Sequence, residues 1–252
     1  MIEKVKPLEM TFTVRAMETA PDGKSFLFSI GDYLQEAASF HAASFGVGVD
    51  LFRSQGITWV LSRMRIQVER YPEGEEKLTV VTWPTFVRRV MVGRDFLVRD
   101  QRGEVIVRAV SGWFILDLER GRPVPPSEEL KTLYHSWDAP RSLPEEFENR
   151  LDRPEEILWR DESPVRYSEL DINGHLNNVR FLQRMVDALP KEWVEAHRIA
   201  DLTAEFRQPA QWGERILAET SRVGEDQLLH RFTRPGEENP LFLAKTLWRE
   251  NF

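Results

Sequence analysis

The residues with the densest capacity for chemistry lie together at Asp171-Ile172-Asn173-Gly174-His175-Leu176-Asn177-Asn178. A carboxylate, carboxamides and an imidazole share one short turn, and an amphipathic run follows at once. A helix start leaves backbone N–H groups unpaired and carries partial positive charge, so it can hold an oxyanion while neighbouring side chains activate water. The chemistry this suits is acyl transfer. The imidazole, which titrates near neutrality, is the natural general base, and the carboxylate either fixes its tautomer or attacks directly. Asn173 would position the carbonyl or the water, and the backbone N–H groups of Leu176 and Asn177 would stabilise the oxyanion. A plainer alternative stands beside this one: Asp, Asn and Gly are favoured turn residues, and Asn177 or Asn178 can simply cap the following helix.

Composition removes most other chemistries. The 252 residues include no cysteine, which excludes disulfides, thiolate nucleophiles and cysteine metal sites. With 34 basic and 41 acidic residues the formal charge is −7, so no nucleic acid is expected as a partner. No run approaches the length of a membrane span, and Met1 to Pro7 lacks the apolar core of a signal peptide, so the expected compartment is the cytoplasm. There is no G-x-S-x-G elbow. Gly23-Lys24-Ser25 lacks the upstream glycine of a P-loop because Glu18 occupies that place, and Gly46-Val47-Gly48 does not continue into a dinucleotide fingerprint. No metal-spaced histidine and carboxylate set occurs, so neither metal nor cofactor is expected.

The elements that must carry the turn follow from periodicity. A strand over Thr11 to Ala16 precedes a helix whose face is Leu34, Ala37, Ala38, His41 and Phe45. Met64, Ile66 and Val68 then alternate with polar residues, and Glu76 to Phe86, Val90 to Arg99 and Glu104 to Leu118 continue an antiparallel sheet. Six prolines between Pro123 and Pro154 mark residues 119–160 as an inter-domain connection, with Trp137 and Leu143 packing it against the surface. The plan then repeats: a strand at Ser163 to Tyr167, the chemical turn, a helix stripe of Val179, Leu182, Val186 and Leu189 ending at Pro190, and strands at Leu202 to Phe206, Arg215 to Val223, Gln227 to Thr233 and Leu241 to Trp248. The expected class is α+β with an internal duplication, divided as 1–118, the connection 119–160, and 161–252.

Several stretches resemble the acyl-acyl-carrier-protein (acyl-ACP) thioesterases of bacteria and plastids, the bacterial members above all. They are Tyr33-Leu34-Gln35-Glu36-Ala37-Ala38, Trp59 to Met64 leading to Arg70-Tyr71-Pro72, Thr82-Trp83, and above all Asp171 to Asn178. The resemblance implies two tandem hotdog domains, each a long helix against a curved antiparallel sheet. The N-terminal one would bind the acyl chain and the C-terminal one would be catalytic, through Asp171, Asn173 and His175. It also implies a partner, acyl carrier protein bearing a fatty acyl chain, in fatty acid biosynthesis. In the family an acid, often beside a cysteine, follows on a later strand; here Pro209 and Ala210 stand at those positions. Glu205 lies four residues earlier and is expected to face water or a ladder partner. Single-hotdog acyl-CoA thioesterases offer a precedent for the proline. An acyl-CoA thioesterase and a non-catalytic acyl-thioester binding protein remain alternatives, as do monomer and homodimer. His41 is expected in the core or lining a tunnel, and His135, His197 and His230 on the surface or in packing. Leu34, Ala38, Met64 and Trp83 are core residues or tunnel lining. Arg88, Arg89, Arg94 and Arg99 form either a solvated face or a docking patch for the acidic carrier.

Overall fold

The computed structural model describes residues 6–135, 140–143 and 150–251. Trp137 and the side chain of His135 lie outside the described residues. The chain divides into two compact units, Met1–Glu146 and Phe147–Phe252, so the division falls within residues 119–160.

Unit 1 contains β1 (Leu8–Thr13), α1 (Leu27–Ser44), α2 (Val49–Ser54), β2 (Ile57–Val68), β3 (Lys77–Arg88), β4 (Met91–Arg99), β5 (Val105–Asp117), β6 (Arg122–Val124) and α3 (Glu128–His135). Its strands pair antiparallel in the order β1-β3-β4-β5-β2, with β6 on β5. Helix α1 buries Ile30, Leu34, Ala37, Ala38 and His41 at spacings of three and four, which sets one face of the helix against the sheet. Leu61, Met64, Ile66 and Val68 of β2 are buried; a register shift between Leu61 and Arg63 breaks the alternation once.

Unit 2 contains β7 (Trp159–Pro164), α4 (Asn178–Asp187), α5 (Lys191–Ala196), β8 (His197–Phe206), β9 (Arg215–Arg222), β10 (Gln227–Thr233) and β11 (Phe242–Glu250). The order β7-β9-β10-β11-β8 matches that of unit 1 strand for strand, as a duplication requires. Helix α4 is shorter than α1, and its stripe is Val179, Leu182 and Met185, with Val186 only half-buried. Phe181 adds a second apolar contact. Its ring stacks on Phe242 at 5.4 Å and meets Phe206 at 6.0 Å edge-on, joining α4 to β8 and β11.

Two elements within residues 119–160 were not legible in the periodicity. Strand β6 extends the sheet, and α3 begins behind the Oγ of Ser127, which accepts the N–H of Leu130 at 3.2 Å. Leu130 and Tyr134 then pack with Phe52, Val92 and Ile115. Beyond α3, the fully buried carboxylate of Asp95 accepts the N–H of Ser142 at 2.6 Å and the Nε of Arg141 at 3.1 Å, which ties this stretch to β4.

The units also share small polar devices. Trp113 Nε1 donates to Ser111 Oγ at 2.8 Å on β5, and Trp248 Nε1 donates to Thr246 Oγ1 at 2.7 Å on β11. They part at His230, which faces Thr220 as Phe96 faces Thr82. His230 is wholly buried, the packing alternative of the two, with its ring nitrogens 3.0 Å from Thr220 Oγ1 and 2.8 Å from Thr246 Oγ1. Burial pushes its pKa down to about 3.

The folded ring stays neutral while the unfolded one takes up a proton below its ordinary 6.5, so stability falls as pH drops from 6.5 towards 3. His230→Phe, which copies unit 1, should lose some stability at pH 7. It should also flatten the acid limb by about 1.4 kcal/mol per pH unit below 6.5, measured by urea unfolding.

Candidate active site

The chain leaves β7 at Pro164 and makes one 3₁₀ turn, Tyr167–Glu169, closed by the N–H of Arg166 donating to Glu169 Oε2 at 2.5 Å. Asp171 N–H then donates to the carbonyl of His175 at 2.7 Å, and Gly174 N–H to the carbonyl of Asp171 at 3.0 Å. Closing so tight a loop requires the left-handed backbone of Gly174, at φ 75°. The Asp171 side chain completes it: Oδ1 accepts the N–H groups of Asn173 at 2.8 Å and His175 at 3.1 Å, and Oδ2 accepts Nδ2 of Asn173 at 3.3 Å. Asn177 caps α4, its side chain accepting the N–H of Val179 at 2.8 Å.

Asp171, Asn173 and His175 therefore share one turn at a helix start, but not in the way expected. The carboxylate binds the backbone of His175 rather than its ring, and among the described residues no hydrogen bond reaches the ring, which is half-buried. A carboxylate has about four acceptor sites. Three are filled here, leaving one on Oδ2.

The expected oxyanion donors are not available. Leu176 N–H is held by the carbonyl of Ala210 at 2.7 Å, and Asn177 N–H by that of Glu169 at 2.9 Å. Both bonds fix the turn to its surroundings. The N–H of Asn178 carries no hydrogen bond among the described residues, and it is the donor that opens at the first helical position.

Beyond β8, Arg207 N–H and Gln208 N–H both reach the carbonyl of Leu241, at 2.9 and 3.2 Å. This bulge turns residues 209–213 towards the turn, where Gln211 bridges His175. Pro209 and Ala210 supply only carbonyls, to Arg234 at 3.0 Å and to Leu176. Glu205 is buried, contrary to the water-facing expectation, because it accepts the N–H of Leu151 at 3.1 Å and the guanidinium of Arg207 at 2.6 Å.

The arginine patch is corrected in the same way. Arg94 is buried, with Nη1 2.9 Å from His41 Nδ1 and 3.2 Å from Thr82 Oγ1, so it belongs to no surface. Arg88 and Arg89 are exposed at the β3–β4 hairpin. The pKa of His41 is lowered to about 4 by burial and by the nearby Arg94. His197 stacks on Trp193 at 4.1 Å. Leu34, Ala38, Met64 and Trp83 are all buried in unit 1.

Unit 1 carries the same turn without the chemistry. Ala20 N–H to Lys24 O (2.8 Å), Gly23 N–H to Ala20 O (2.9 Å), Ser25 N–H to Pro72 O (2.8 Å) and Phe26 N–H to Glu18 O (2.9 Å) repeat the unit 2 bonds one for one. Ala20, Asp22 and Lys24 thus stand where unit 2 has Asp171, Asn173 and His175. Around its turn, unit 2 exposes Tyr167 (75%), Ile172 (66%) and Trp212 (68%), the two aromatic rings meeting edge-on at 5.9 Å. The corresponding residues of unit 1 are Ala16, Pro21 and Gly74.

Among the described residues no cluster of histidines and carboxylates could hold a metal ion, and no helix is long and apolar enough to cross a membrane. Residues 6–134 match the acyl-ACP thioesterase N-terminal domain and residues 153–250 the acyl-ACP thioesterase C-terminal domain. The chain is 26% identical to oleoyl-acyl carrier protein thioesterase 1 of Arabidopsis thaliana, over 95% of this chain and 75% of that protein. It is 29% identical to the oleoyl-acyl carrier protein thioesterase of Coriandrum sativum, over 85% of this chain and 63% of that one, so it spans about two-thirds of these relatives' lengths. An acyl-ACP thioesterase structure from Bacteroides thetaiotaomicron superposes with a TM-score of 0.87 at 25% identity, covering 96% of this chain and 98% of the other.

Asp171→Ala removes three hydrogen bonds from the turn and should cost about 2 kcal/mol in chemical denaturation. Asp171→Asn keeps an oxygen for the backbone N–H groups and should cost less than about 1 kcal/mol.

Proposed function

The chain belongs to the acyl-ACP thioesterase family, and from that premise we propose that it hydrolyses fatty acyl-ACP to free fatty acid and carrier protein, with Asp171, Asn173 and His175 as its catalytic residues. The observation that carries this assignment is a carboxylate fixed by its own turn with one acceptor site open, beside an unengaged imidazole at a helix start. In this reading His175 takes a proton from a water that Asp171 Oδ2 holds by its other hydrogen. The hydroxide attacks the thioester carbonyl carbon. The resulting oxyanion is met by the N–H of Asn178 and the amide of Asn173, a donor of this kind contributing about 3 kcal/mol. Collapse breaks the C–S bond, and the imidazolium returns its proton to the leaving thiolate.

Unit 1 holds the acyl chain in this proposal, with Leu34, Ala38, Met64 and Trp83 as candidate lining, and the partner is the acyl carrier protein in the cytoplasm. Arg88 and Arg89 supply exposed positive charge suited to that acidic partner. Pro209, where the family carries an acid, favours a second reading, a protein that binds acyl thioesters without cleaving them. Acyl-CoA, which presents the same thioester on the same pantetheine arm, is the alternative substrate.

Thiol release from acyl-ACP and acyl-CoA, followed side by side, separates these readings. The wild type should favour acyl-ACP, and Asp171→Asn and His175→Ala should each lower kcat by roughly 100-fold or more. Wild-type rates in both variants would refute the residue assignment, and binding without release by the wild type would select the non-catalytic reading.

A further inference from the structure

The duplication separates what the turn needs to hold its shape from what it needs for chemistry, because unit 1 keeps the first and lacks the second. In both units the residue that closes the 3₁₀ turn is a glutamate, Glu18 or Glu169, and its carbonyl also accepts the N–H of the residue just before the helix, Phe26 or Asn177. Each glutamate side chain is in turn held by the seventh residue of that helix. In unit 1 this is Tyr33, whose hydroxyl donates to Glu18 Oε2 at 2.5 Å. At the corresponding place unit 2 has Arg184, whose Nε and Nη2 grip both oxygens of Glu169 at 2.7 and 2.6 Å. Arg184 reaches further than the tyrosine: it also donates to Ser163 Oγ at 3.1 Å and to the carbonyl of Pro164 at 2.7 Å, at the end of β7.

We infer that Arg184 and Glu169 are positioning residues for the reaction: a clamp that joins α4, the end of β7 and the 3₁₀ turn, and so fixes Asp171 and His175 relative to the helix start. Neither touches substrate. Their effect passes through two bonds, Arg166 N–H to the Glu169 carboxylate and Asn177 N–H to the Glu169 carbonyl, which bracket Asp171 to Asn177 on both sides. The pair is largely shielded from solvent, with side chains 11% and 17% exposed, so salt screens it little. Burial acts to raise the Glu169 carboxyl, but the bonds from Arg184 and Arg166 outweigh it and hold the pKa below the ordinary range, which keeps the acceptor charged. A cavity of about 140 Å³ borders the pair, lined also by Asp161, Arg166 and Asp187. An uncharged residue at 184 therefore leaves Glu169 beside a cavity of mixed polar and apolar lining rather than sealed in the core, with the N–H of Arg166 still donating to it, and the variants should fold.

The inference rests on the chemistry being at the Asp171 to Asn178 turn, so its test has one readout that needs no substrate. In Arg184→Leu, native-state hydrogen exchange should accelerate tenfold or more at the amides of Asp171, Gly174, His175 and Asn177, with Ala20, Gly23 and Phe26 of unit 1 unchanged. On acyl-ACP, kcat should fall at least tenfold with KM within a factor of three. Arg184→Tyr, which installs the unit 1 solution, should recover both. Unchanged exchange, acceleration spread evenly over unit 2, or failure of the tyrosine to restore the protected amides would overturn the clamp. Loosened amides with wild-type turnover would overturn its role in positioning. A wild-type protein that releases no thiol would defeat the proposed hydrolysis, and the exchange data would then decide the clamp alone.

Discussion

A carboxylate that accepts two backbone N–H groups of its own turn has its position set by the main chain rather than by a free choice of rotamer. Asp171 is held this way, and the rest of unit 2 is arranged so that the turn itself has nowhere to go. Ala210 takes the N–H after His175, Glu169 takes the next, and the bulge after β8 brings residue 210 within reach. Each of these bonds satisfies a backbone group that partial burial would otherwise leave costly. The consequence is that most of the donors at the helix entrance are already committed, and the N–H of Asn178 is left as the opening. Pre-organisation of this sort stabilises a transition state because little has to rearrange when charge develops.

The two units show how little of that arrangement belongs to the reaction. Strand order, the 3₁₀ turn, the glycine at positive φ and the bonds to the facing loop are common to both. Gly23 and Gly174 occupy the same left-handed position, and on the facing loop even Glu75, at φ 66°, keeps the conformation that Gly213 has at φ 81°. What differs is side-chain chemistry: alanine for aspartate, lysine for histidine, tyrosine for arginine. The main-chain bonds that close the turn are the same in both units, so such exchanges change what the side chains add to it and not its path.

Much of this was legible in the sequence, and the gaps have physical causes. Periodicity located α1, α4 and most strands, with Gln227 to Thr233 recovered end to end, because one face of each element is apolar; it missed the first turns of α1 from Leu27, the first half of β2 from Ile57, and the short α2 and α5. It overlooked α3, where Pro123, Pro125 and Pro126 read as an interruption, although Ser127 with Leu130 and Tyr134 carried the cap and stripe of a helix. It put α4's third stripe position at Val186 rather than Met185, since one turn admits either spacing. At the site, residue types located the turn and its cap but not the direction of the bonds. That Asp171 would bind the backbone of His175 rather than its ring is a local choice that residue types leave open, whereas the engagement of Leu176 and the burial of Arg94 and Glu205 depend on partners remote in sequence.

The Tyr167, Ile172 and Trp212 side chains that stand in water beside the turn have a colloidal consequence. Apolar area of this kind lowers the barrier to clumping at high concentration. The surplus of seven negative charges on the chain opposes that tendency by keeping like molecules apart. Ionic strength therefore governs solubility here through repulsion between whole molecules, and it leaves the internal bonds of the turn nearly untouched.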